Sequence, residues 1–128
     1  MRTLLAFLFL FSLSFVYSQR FYDGSGRLAA RFDNNNIYNG SGHQLGRIDA
    51  ERVYDASGHM VGRVDGDNFY DGSGHQIGRK SGDNLYNGSG HQIGRLDSDN
   101  LYDGSGHQIG RADGLRRMQI IIFFYYFY

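Results

Sequence analysis

Tyrosine recurs at Tyr22, Tyr38, Tyr54, Tyr70, Tyr86 and Tyr102, and each interval is 16 residues. A period that never slips leaves no room for insertions, so each unit must be structurally equivalent to the next. Counted from its Tyr, a unit reads Y-D/N-G-S-G-H-Q-I-G-R-V-D-G-D-N-L. Ser holds the fourth place and Gly the fifth in all six units, and the tenth is always Arg: Arg31, Arg47, Arg63, Arg79, Arg95 and Arg111. Sixteen residues are too few for a helical repeat with two turns, and no 3.6-residue periodicity is present.

Two turn signals divide each unit. "DGSG" or "NGSG" is a tight cluster whose Gly can take positive φ. "DGDN", "SGDN" or "DSDN" follows half a unit later. The short runs between them, such as "HQIGRV" and "NLY", have strand composition. Each unit is therefore a β-hairpin. A lone hairpin is marginal in water, and closing the series on itself removes the exposed edges. The expected fold is all-β: a closed ring or shallow barrel of five to six short hairpins, with a hydrophobic tail. Pairing across the first turn sets Tyr opposite His. One face then carries Tyr, His, Ile, Arg and Asp; the other carries Phe21, Ile37, Val53, Phe69, Leu85 and Leu101 with Gln, Gly and Val. Glycines at Gly46, Gly62, Gly78, Gly94 and Gly110 leave space for a neighbour's bulk.

Composition bounds the function. Residues 1–18 have one Arg, an apolar run from Leu4 to Val16, and Val16-Tyr17-Ser18 at their end. This is the layout of a secretory signal peptide cut between Ser18 and Gln19. The expected divisions are the leader at 1–18, the hairpin-repeat domain at 19–114 and the aromatic tail at 115–128. The destination is the periplasm, the outer envelope or the extracellular space. Without Arg2 the balance is 12 basic to 13 acidic residues, which gives no reason to expect nucleic acid as partner. Cysteine is absent, so disulfides and thiolate chemistry are excluded, and the domain must rest on core and hydrogen bonds alone.

The spelling "YDGSGRLAARFD" at 22–33 is similar to the YD repeats of the RHS proteins, which have a longer period. The span 20–114 and the aromatic chain end more closely resemble the bacterial five-fold β-flower family, small exported proteins of short hairpin repeats. That resemblance implies a fold and no established activity. Here there are six Tyr motifs, and the first has Arg27 in place of His and Ala30 in place of Gly. One expectation is that this first unit donates only a closing strand and leaves five full hairpins; the other is six-fold closure.

The candidate chemistry is repeated with the units. His43, His59, His75, His91 and His107 would form a ring. A barrel of ~10 strands has a radius of roughly 8–9 Å, so five inward imidazoles would stop roughly 4 Å short of the axis, beyond a Zn–N bond of ~2.0 Å. A shared metal is not expected. Each His is expected to pack on its cross-strand Tyr, the alternative being a ligand-facing ring. The arginines are expected to pair with the Asp two places on (Asp33, Asp49, Asp65, Asp97 and Asp113), with Ser81 breaking the series. "DGDN" at 65–68 reads as a turn: a calcium loop needs a later bidentate acid, and the only Glu is Glu51. Ser, His and Asp recur at equal intervals, whereas catalysis needs one specially placed base, so no catalytic residue, cofactor or small-molecule substrate is inferred.

The stretch "GLRRMQIIIFFYYFY" at 114–128 escapes the repeat. It is too short to span a bilayer as a helix, but long enough for one strand or for two turns of helix. One reading is a plug that closes the ring. The other is an interfacial anchor, with Phe123, Phe124, Tyr125, Tyr126, Phe127 and Tyr128 meeting a membrane or partner. The expected function is that of a non-enzymatic, exported structural or binding repeat protein whose partner is a protein, a glycan or a membrane surface. The alternative is a cell-envelope protein attached through this tail.

Overall fold

The computed structural model describes residues 19–128, so the expected leader over 1–18 lies outside the described residues. Four-residue strands alternate with six-residue strands. The short ones are β1 (Arg20–Asp23), β3 (Asn36–Asn39), β5 (Arg52–Asp55), β7 (Asn68–Asp71), β9 (Asn84–Asn87) and β11 (Asn100–Asp103). The longer ones are β2 (Leu28–Asp33), β4 (Gln44–Asp49), β6 (Met60–Asp65), β8 (Gln76–Ser81), β10 (Gln92–Asp97) and β12 (Gln108–Asp113). Each strand pairs antiparallel with its chain neighbours, and β1 pairs with β12 to close a barrel of six hairpins. The divergent first unit is thus a complete hairpin rather than a closing strand alone: β1 pairs with β2 as well as with β12. Its departures, Arg27 and Ala30, leave the backbone pairing intact.

The long turn explains why its first residue is only ever Asp or Asn. In "DGSG" at 71–74, Asp71 Oδ1 accepts from the backbone N–H of Ser73 at 2.9 Å and of His75 at 3.0 Å. Asn39 and Asn87 accept the same bonds, because the amide oxygen sits where the carboxylate oxygen would. Arg27 donates through its backbone in the same way, so this turn makes no use of the side chain at the sixth place. The short turn has two central residues, and the first takes positive φ: 62° at Gly66 and Gly82, but 56° at Asn34, Ala50 and Ser98.

A bulge lies in every hairpin. Phe69 pairs with Gly78 but Tyr70 pairs with Gln76, so Ile77 is the extra residue. The expected pairing of Tyr with His is therefore off by one, and simple alternation fails at this point. Gln76 becomes exposed and Ile77 half-buried, so Gln leaves the inner face and Ile joins it. The outward Gln is held instead by Asn: Gln76 Nε2 donates to Asn68 Oδ1 at 3.1 Å.

The rest of the inner face is as expected. Phe21, Ile37, Val53, Phe69, Leu85 and Leu101 are all fully buried. Twelve strands give a radius of at least about 9 Å, which wall side chains alone do not fill. Helix α1 (Arg117–Tyr126) occupies that space, with Ile120, Ile121, Ile122 and Phe123 buried. The run "IIIFFYY" has strand composition, but a closed barrel offers no free edge. An enclosed segment must satisfy its own N–H and C=O groups, and a helix does so. From Ile120 on, this helix is apolar on every side and matches an environment that is apolar all round.

Candidate functional site

Three tiers of side chains are stacked along the barrel. At the long-turn rim, His43, His59, His75, His91 and His107 are exposed. The expected packing of His on Tyr is not formed, because the bulge gives Tyr a Gln as its neighbour. Three of these histidines instead lie near the Asp of their own turn, with Nδ1–Oδ2 distances of 3.8 Å in His59–Asp55 and His75–Asp71 and 3.7 Å in His107–Asp103. The ring of histidines thus exists as an outer crown. Among the described residues, no group of three His, Asp or Glu side chains converges as a metal site.

Around the waist, every Arg of the repeat lies over a Tyr ring. The guanidinium carbon stands above the centroid at 4.6 Å in Arg31–Tyr38, 4.2 Å in Arg47–Tyr54, 4.5 Å in Arg63–Tyr70, 4.8 Å in Arg79–Tyr86 and 4.3 Å in Arg95–Tyr102. The belt closes through Arg111 over Tyr22 at 4.9 Å, across the β12–β1 junction. These residues face each other directly across the short-turn pairing, as Arg63 does Tyr70. A cation on an aromatic face in this setting contributes ~0.5–1 kcal/mol. The expected Arg–Asp pairing appears at three places and is loose: 3.7 Å in Arg47–Asp49, 3.9 Å in Arg63–Asp65 and 3.6 Å in Arg95–Asp97. Sequence reasoning missed the stack. Its signal was the constant seven-residue step, spanning the short turn, from Arg31, Arg47, Arg63, Arg79 and Arg95 to the next Tyr.

In the interior, the glycines of the ninth place are sockets for aromatic rings. A Cβ at Gly46 would meet Phe127 Cζ at 2.7 Å, and one at Gly94 would meet Phe124 Cζ at 2.9 Å. At Gly62 it would overlap the Tyr126 ring, at Gly78 the Tyr125 ring, and at Gly110 the Phe21 ring. Four consecutive residues, 124 to 127, therefore enter four successive units in reverse order. Through these gaps the tyrosine hydroxyls reach the wall's backbone. Tyr125 Oη donates toward the carbonyls of Tyr86 at 2.8 Å and Arg79 at 3.2 Å, and Tyr126 Oη toward those of Tyr70 at 2.7 Å and Arg63 at 3.2 Å. Burial raises both hydroxyls to about 12.

The tail residues Phe123–Phe127 thus belong to the barrel's core, and Phe123 is only 3% exposed. Tyr128 stands out at 62% exposed. The helix enters from the short-turn rim, where Arg117 Nη2 donates to Asp83 Oδ1 at 2.7 Å and Gly82 O at 3.1 Å. Beside it, Lys80 replaces the apolar eleventh-place residue of its unit and pairs with Asp67 at 3.1 Å. Among the described residues, no helix is long and apolar enough to cross a membrane.

A closed meander of equivalent hairpins around its own helix defines a single-chain β-hairpin repeat barrel. Residues 15–128 match the family model described as 5-fold beta-flower protein, and the chain belongs to that family. No curated protein and no solved structure matches it. The family match gives no support to the similarity with YD repeats of RHS proteins. The family is not a known enzyme family. In this member six hairpins close the ring, five of which carry the glycine socket.

Proposed function

We propose that this chain is an exported, non-catalytic binding protein that makes weak, repeated contacts through its outer surface. The supporting observation is the waist belt, in which six Arg–Tyr pairs run unbroken around the barrel. Because α1 fills the interior, contact with a large partner falls to the outside. Arg offers a fork of N–H donors that suits a carboxylate, and Tyr offers an aromatic face and edge that suit a sugar ring. The partner chemistry that fits is a carboxylated polysaccharide, itself a repeat. Each contact is weak, and several engaged together gain by effective concentration. Because the net charge is near zero, long-range attraction contributes little, and binding rests on these local contacts.

Binding to immobilised alginate, with dextran as the neutral comparison, tests this reading. Retention on alginate alone, falling in steps as Arg47, Arg63 and Arg95 are changed to Gln, is the expected result. Equal retention on both columns would end it. Attachment through the tail, the runner-up, requires Phe123–Phe127 to leave the core; co-flotation of the full chain with lipid vesicles would support it, and recovery in the soluble pool alone would oppose it.

A further inference from the structure

The barrel is not closed evenly at its long-turn mouth. A cleft of about 460 Å³ opens there, within the size range of small-molecule sites. Its outer side is formed by Ile77, Ile93 and Ile109, the bulge residues of three adjacent units. Its other side is formed by Phe124, Tyr125 and Tyr128 at the end of α1. Phe124 and Tyr128 are near-parallel, with centroids 6.1 Å apart and 23° between planes, whereas Tyr125 meets Phe124 edge-on at 5.4 Å and 76°. Tyr125 stacks its other way on Phe69, at 4.3 Å and 24°, so the exposed Tyr128 is the ring that offers aromatic surface to an organic cation at this corner.

One charged residue, Asp103, lines the cleft. Its carboxyl is held below the usual carboxylate range, first by the backbone N–H of His107 and then by that of Ser105, against the opposing effect of desolvation. It therefore remains an anion at neutral pH. The C-terminal end of α1, with its partial negative charge, also faces this mouth. Both the carboxylate and the helix end favour positive charge, and the walls favour an apolar body.

We propose that this cleft is a binding site for a small organic monocation with an aromatic or alkyl body, of the quaternary-ammonium class. The aromatic corner takes the cationic head, Asp103 balances its charge, and the three isoleucines cover the apolar part. Binding here is independent of any contact at the waist, which lies on the outer surface.

Titration with benzyltrimethylammonium, benzyl alcohol and benzoate, followed by the methyl resonances of Ile77, Ile93 and Ile109, tests the site. Saturable shifts of those methyls with the cation, weaker shifts with the alcohol and none with benzoate are expected. Asp103→Asn should lower affinity for the cation about five-fold and leave the alcohol unaffected. The fold tolerates this change, because Asn39 and Asn87 make the same turn in other units. Asp55→Asn, the same change in a turn outside the cleft, should leave cation affinity unaltered. Benzoate binding as well as the cation, shifts that bypass the three isoleucines, or equal effects of the two Asn variants would each overturn the proposal.

Discussion

Each unit of the wall uses sixteen residues for one hairpin and repeats it around the ring, whereas α1 uses ten residues once. The wall keeps its identical positions for geometry: Asp or Asn to close the long turn, Gly for a socket, Arg and Tyr for the belt. The helix has no internal repetition, and four consecutive residues at its end, 124–127, meet four different units. A symmetric wall can place the same chemistry many times but cannot make one place unlike the rest. The helix does that, and an uneven feature of the mouth, the cleft over Ile77, Ile93 and Ile109, lies beside its end.

The contrast can be broken most severely by removing the helix. A chain lacking residues 118–128 should lose its near-ultraviolet circular dichroism and its cooperative thermal transition, because Ile120–Phe123 are core. A folded, more soluble ring would instead mean that the wall stands alone. Next comes filling a socket. Gly62→Val should destabilise by about 3 kcal/mol in urea unfolding, since its Cβ would overlap the Tyr126 ring. Ala30→Gly, where the ninth place already carries a Cβ, should change stability by under about 1 kcal/mol.

Smaller effects sharpen the same comparison. Tyr126→Phe removes a hydroxyl that reaches two wall carbonyls, and about 1–2 kcal/mol should be lost. The Tyr125 and Tyr126 hydroxyls titrate at about 12 in the fold against 10.0 otherwise. The folded state thus holds these protons more tightly. Their contribution is intact below pH 10 and declines as pH rises from 10 toward about 12. Alkaline unfolding followed by circular dichroism should show this decline, and the double Phe variant should flatten it. On the wall alone, Tyr54→Leu should cost about 0.5–1 kcal/mol through loss of its stack with Arg47. The smallest effect should be a gain: Ala50→Gly relieves a φ of 56° and should raise stability by up to about 1 kcal/mol.

Repetition made most of the wall legible. Equal spacing implied equivalent units, "DGSG" and "DGDN" marked both turns, and Phe69 and its counterparts were placed inside. The bulge was hidden because one unpaired residue leaves no compositional trace. Gln76 and Ile77 read as ordinary alternation, and that single step moved Ile to the core and His to the open rim. The Arg–Tyr belt was hidden because the two residues belong to different units in the text of the repeat. The tail was ambiguous for another reason: its β-branched and aromatic residues favour a strand, and only enclosure in a barrel makes a helix of them. The mouth cleft depends on where the helix ends, which no spacing within the repeat encodes.

The run of rings at 124–127 also acts as a gauge of copy number. A chain of near-identical units can gain or lose one by slippage during replication, and the hairpins themselves would pair as well in a ring of five or seven. The helix would not match either ring. Phe124, Tyr125, Tyr126 and Phe127 fill the sockets at Gly94, Gly78, Gly62 and Gly46, one ring to each. An added unit would bring a socket with no ring to fill it, and a lost one would leave a ring without its socket. The only segment of the barrel without a copy is therefore the one that counts the copies.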